Sequence, residues 1–96
     1  MNWLTIDNLL YFHKQILEAT GGVAGILNFG ALEAALEAPF TSYDNEDLFP
    51  NLWDITAVFV ERLVSLHPFV DGNKRTAFVA ADVCLKLNED GRFLLQ

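Results

Sequence analysis

One cysteine, few cations and no long apolar run set the first limits on this chain of 96 residues. Cys84 alone excludes an internal disulfide framework and any multi-cysteine zinc site. It falls in an apolar helical stretch, where a buried structural thiol is the expected role. Lys and Arg number 6 against 13 Asp and Glu, a formal net charge of -7. That balance lacks the basic footprint of a nucleic-acid binder and disfavours an anionic membrane surface. The longest apolar run, residues 77–81, is far too short to span a bilayer. Asp7 interrupts the N-terminal segment and no basic stretch precedes it, so no signal peptide is expected and a cytoplasmic location is.

What is present is apolar material, 52% of the chain, enough for one small core. Residues 1–96 read as a single domain without repeats or a linker, short enough that a partner would make it more robust. Thr5 can cap a first helix over residues 6–19, whose apolar positions Ile6, Leu9, Leu10, Ile16 and Leu17 follow helical spacing. Gly21 and Gly22 stop it. A short helix over 31–37 is ended by Pro39. Residues 40–51 are rich in Thr, Ser, Asn, Asp and Glu, a loop long enough to suggest a functional flap. A third helix is expected over 52–66, with Ile55, Val58, Phe59, Leu63, Val64 and Leu66 as its apolar face. Pro68 disfavours helical geometry at His67 and so makes that residue extended. A fourth helix, from about Gly72 to residue 87, is apolar nearly all round its middle, which predicts a central, buried position. Asp82, the one charge there, belongs at an edge or in a pair. Residues 88–91 read as a turn and 92–95 as a short extended piece. The fold class is all-α.

Residues 67–76 read His-Pro-Phe-Val-Asp-Gly-Asn-Lys-Arg-Thr. This turn between the third and fourth helices carries the chemistry. The first N–H groups of a helix have no partner, and its macrodipole puts about half a positive charge there. Lys74 and Arg75 add full charges, so a polyphosphate would meet donors, dipole and cations together. Asp71 can hold Mg²⁺, which takes one or two carboxylates beside phosphates and waters. His67 can accept the proton of an attacking hydroxyl. Phe69 anchors the turn. Plainer roles stand beside these: Asp71 as an N-cap, His67 as a helix-end histidine, and Lys74 with Arg75 as a solvated first turn, although cations there oppose the dipole. A P-loop is rejected, because Arg75 stands where Ser or Thr should follow the lysine and Phe69 where the first glycine should be.

Elsewhere the expected roles are structural. His13 lies within an amphipathic helix, with a His13, His67 and Asp71 metal site as its alternative. Trp3 and Trp53 are expected to pack. Glu33 and Glu37 share a solvated helical face.

The motif resembles the signature of the Fic/Doc family, most closely its Doc (death on curing) branch. Gly21, Gly22 and Gly25, followed by Leu32, Glu33, Leu36 and Pro39, agree with the Doc pattern at the same distance before it. The resemblance implies a small helical domain with a flap that transfers part of ATP, with Mg²⁺, to a hydroxyl of a protein target. By position, it implies His67 as the general base, Asp71 as the Mg²⁺ ligand, Gly72, Asn73 and Lys74 as an anion hole, Arg75 on the phosphates and Phe69 as structural. Ser42, Tyr43 and Asp44 belong to the flap that docks the target. Adenylyl-transferring Fic proteins have glycine where Lys74 stands and a second arginine where Phe78 stands. Doc members share the lysine, which implies transfer of the terminal phosphate, with elongation factor Tu as target and a Phd-type antitoxin as partner. AMP transfer and a non-catalytic binding module are the alternatives. The self-restraining motif of some Fic proteins is missing, which implies regulation in trans. The family also implies further helix after Gln96.

Overall fold

The computed structural model describes residues 2–43, 46–47 and 51–89. Helix α1 (Ile6–Thr20) starts where Thr5 Oγ1 accepts from Asn8 N–H at 3.1 Å, while Asn8 Oδ1 accepts from Thr5 N–H at 3.0 Å. This reciprocal box satisfies two donors that the first turn would leave orphaned. It ends at Gly21, whose φ of 80° a side chain would resist and whose N–H reaches Leu17 O at 2.8 Å. Helix α2 (Phe29–Glu37) begins two residues earlier than the sequence suggests, because Asn28 Oδ1 accepts from Ala31 N–H at 3.2 Å and caps it. Pro39 does not break the chain sharply. It sits buried in a single 3₁₀ turn, Ala38–Phe40, that extends the helix.

The flap segment contains a minimal antiparallel hairpin, β1 (Ser42–Tyr43) and β2 (Glu46–Asp47), with Ser42 opposite Asp47 and Tyr43 opposite Glu46. Asp44 lies outside the described residues. Helix α3 (Leu52–Leu66) has the expected bounds. Asn51 caps it, accepting from Asp54 N–H at 2.9 Å and donating to Asp54 Oδ2 at 2.8 Å. Helix α4 (Asn73–Glu89) packs along α3 and against α1. It continues through residues 88 and 89, where a turn was expected, because Asn88 is held in place. Asn88 Nδ2 donates to Asn2 O at 2.7 Å and to Cys84 O at 2.8 Å, and Oδ1 accepts from Asn2 N–H at 2.6 Å. Residues 92–95 lie outside the described residues.

The architecture is all-α, and the core joins the four helices: Leu4, Leu9, Leu32, Ala35, Leu36, Phe59, Leu63, Phe69, Ala77, Ala80 and Cys84. Small residues on α4 let α3 approach it closely. Trp3 closes one end, its Nε1–H on Leu36 O at 2.9 Å and its ring edge-on to Phe40 and Phe59. Two expectations need correction, while that for Asp82, an edge or paired position, holds. Helix α4 is central but not buried all round: Phe78 (55%) and Val79 (40%) face outward. Val64 and Leu66 are partly exposed, and Trp53 is more than half exposed. Asp82 sits exposed and paired with Lys86 at 2.9 Å.

Candidate functional site

The site begins where α3 stops. His67 closes the helix with its N–H on Leu63 O at 3.2 Å, in the left-handed region at φ 52°, ψ 59°. It is not extended, as Pro68 alone would suggest. Pro68 removes the right-handed option, and the left-handed one keeps the terminal hydrogen bond while reversing the chain. The conformation costs a non-glycine residue about 1–3 kcal/mol and persists only where its surroundings fix it.

Those surroundings come from the segment between α1 and α2. Residues 25–28 lie alongside 68–70. Leu27 and Asn28 N–H both donate to Pro68 O, at 2.7 and 3.1 Å. Val70 N–H donates to Gly25 O at 3.0 Å, and Ile26 forms a bridge with Phe69. Phe69 is fully buried, stacked on the His13 ring at 3.7 Å between centroids and 5° between planes. Asn73 clasps its backbone from the other side, Oδ1 accepting from Phe69 N–H at 2.9 Å and Nδ2 donating to Phe69 O at 2.8 Å. The Asn73 side chain is thus tied into the turn, and its backbone N–H lies at the open start of α4.

Asp71 does not cap α4. Its Oδ1 accepts from the adjacent Gly72 N–H at 2.9 Å and its Oδ2 from Val23 N–H at 3.2 Å. Gly22 makes room for this contact, since a Cβ there would stand 2.8 Å from Oδ2. The first turn of α4 closes with Thr76 N–H on Gly72 O at 2.9 Å. The N–H groups of Asn73, Lys74 and Arg75 precede that first intrahelical bond. Lys74 and Arg75 are exposed, and neither forms an ion pair among the described residues.

His67, Asp71, Gly72, Asn73, Lys74 and Arg75 all line one cleft of about 520 Å³. The motif thus converges in space as well as in sequence. Its opposite wall is the C-terminal half of α1 with Gly21 and Gly22. This wall was not read from the sequence, although the paired glycines after α1 were its signal. Among the described residues no three His, Cys, Asp or Glu side chains stand together as a metal site, so the His13, His67 and Asp71 alternative is not formed. A site for Mg²⁺ fits differently. An ionised carboxylate offers about four lone-pair positions, and Asp71 uses two on N–H groups. The rest remain beside orphan donors and two cations, the setting in which Mg²⁺ binds through one carboxylate and phosphate oxygens.

The Fic/DOC family profile matches residues 3–85, a span that includes every element of this cleft. The chain belongs to the Fic/DOC family. Within it the Doc branch is indicated by 40% identity over 70 residues to the Toxin Doc of Mycolicibacterium smegmatis, covering 73% of this chain and 54% of that protein. The chain thus spans about half the length of that relative. No solved structure matches. Phe78 faces outward beside another, apolar groove of about 580 Å³. No helix among the described residues is long and apolar enough to cross a membrane.

Proposed function

We propose that the chain is a Doc-type toxin domain that transfers the terminal phosphate of ATP to a hydroxyl of a protein target. The observation that carries this reading is the convergence of His67, Asp71, Lys74 and Arg75 on one cleft at the start of α4. The open N–H groups of α4 and the two cations bind and orient the phosphates. Mg²⁺ held by Asp71 supplies charge neutralisation on the phosphate oxygens when bound. His67 accepts the proton of the attacking hydroxyl as its oxygen bonds to the terminal phosphorus, and ADP leaves. By resemblance to the Doc branch, the flap hairpin would supply backbone for aligning the target. Elongation factor Tu is the target and a Phd-type antitoxin the cytoplasmic regulator, both by resemblance to the Doc branch.

Lys74 and Phe78 favour phosphoryl over AMP transfer. A lysine fills space that glycine would leave for an anion against the backbone, and Phe78 cannot pair with a phosphate. The deciding experiment is incubation with ATP labelled separately in adenine and terminal phosphate, together with a cell lysate. Terminal phosphate on a protein of translation supports the proposal. Adenine label on the target establishes AMP transfer instead, and no transfer of either label favours a binding module. Co-expression with the neighbouring reading frame should relieve toxicity if that product is the antitoxin.

A further inference from the structure

We propose that His13 is a positioning residue of the cleft, setting the peptide that aims the Asp71 carboxylate. Its Nε2 lies 2.8 Å from Asp71 O. A carbonyl oxygen only accepts, so Nε2 bears the proton and donates. The flat stack on Phe69 at 3.7 Å and 5° holds the ring in one orientation, and at 7% exposure water scarcely reaches it.

The bonded carbonyl belongs to the peptide unit between Asp71 and Gly72. A trans peptide points its C=O and N–H in opposite directions. Fixing the carbonyl on His13 therefore fixes the Gly72 N–H on the other side, where it donates to Asp71 Oδ1 at 2.9 Å. One rigid plane is gripped at both ends, by an α1 side chain and by the carboxylate it directs. Gly72 serves the same arrangement: its φ is 79°, and a Cβ there would lie 3.5 Å from the His13 ring. If the plane rotated, Oδ1 would lose its donor and Val23 N–H would be left as the carboxylate's sole tether. His13 thereby connects the buried face of α1 to the charge at the mouth of the cleft without lining that cleft itself.

The metal arm of the test rests on the nucleotide-transfer reading above; the resonance arm does not. Parent, His13→Leu, His13→Gln, Asp71→Ala and Leu36→Ala proteins are compared. Leu36 is a core residue of α2 and controls for general loosening. In parent spectra the His13 Nε2–H proton should exchange slowly with water, and its absence would overturn the inference even if no variant folds. In His13→Leu the Gly72 amide resonance should move most of the way to its position in Asp71→Ala, and the Val23 resonance less, since it keeps its bond to Oδ2. His13→Gln, which restores a donor, should return them toward the parent. Mn²⁺ titrated in the presence of ATP should bind His13→Leu about 10–100-fold more weakly, as loss of a ligand's supporting hydrogen bond does. His13→Gln should recover most of that loss, and Leu36→Ala should show none. An unmoved Gly72 amide in His13→Leu overturns the inference, as does equal loss of Mn²⁺ in Leu36→Ala. If the parent binds no Mn²⁺ while the amides respond as described, the positioning role stands and the nucleotide-transfer reading fails.

Discussion

Asn73 and Phe69 form a closed ring: the side-chain amide of the first both accepts from and donates to the backbone of the second, at 2.9 and 2.8 Å. Both residues are buried, so neither bond has water as a substitute. Asn73→Ala strands a buried N–H and C=O, each costing about 1–3 kcal/mol. A loss of about 2–4 kcal/mol is expected in denaturant unfolding, with the cleft disordered in parallel. Asn73→Asp keeps the acceptor but loses the donor and should fall between Asn73→Ala and the parent.

His67 combines two separable properties. Its imidazole is the proposed base, and His67→Ala should lower transfer about 10²- to 10⁴-fold. Its backbone is left-handed at φ 52°. His67→Gly should therefore be equally inactive yet melt within a few degrees of the parent, because relieved strain offsets the added freedom of the unfolded chain. His67→Val should be inactive and clearly less stable, since a β-branched residue resists that region most. Equal melting temperatures for the glycine and valine variants would remove the strain argument.

On the proposed reading, Lys74 distinguishes the two group-transfer chemistries. Lys74→Gly removes a full charge from the start of α4 and should cut phosphoryl transfer about 10²- to 10³-fold, the range for losing one stabilising donor. Intact mass of the modified target reads the outcome. Added AMP from the unaltered enzyme contradicts the Doc-type assignment.

Thr76 is wholly buried, and its Oγ1 has no hydrogen-bond partner among the described residues. A hydroxyl buried in that state costs about 1–3 kcal/mol. Thr76→Val keeps the shape, removes the hydroxyl and should raise the midpoint of thermal unfolding. A lowered midpoint would show that the hydroxyl stabilises the fold and overturn this prediction.

Burial pushes the Cys84 thiol above its usual range, against weaker opposing hydrogen bonds from Thr56 and Asn88. A group that keeps its proton more tightly when folded stabilises the fold fully below its unfolded pKa. That contribution is lost as pH rises from there toward the folded value. The melting temperature should thus fall more steeply above about pH 9 in the parent than in Cys84→Ala. The thiol should also resist disulfide reagents until the chain unfolds.

Much of the helical frame was legible because capping chemistry and apolar period agree: α3 runs between Asn51 and the Pro68 boundary as read. The motif residues were legible as a set because they are contiguous. What failed was orientation. Periodicity marks Phe78 and Val79 as apolar and says nothing of which neighbour covers them. Pro68 excludes one backbone region at His67, and the choice among the rest is made by Leu63 O and residues 25–28, distant information that no local rule contains. His13 and Val23 reach the site by the same tertiary route, one by a ring nitrogen and one by a backbone N–H, which has no sequence signature at all.

The pairing of residues 25–28 with 68–70 has a consequence in time. A polypeptide leaves the ribosome from its N-terminus, and domains form as units once their parts are available. Here the α1 wall and its glycine loop are synthesised first, before His67, Lys74 and Arg75 exist. The Asp71 carboxylate meets Val23 only after the start of α4 has been made. On the proposed reading a nascent chain is inert until the start of α4 has been made, and whatever restrains the finished molecule has that interval in which to be present.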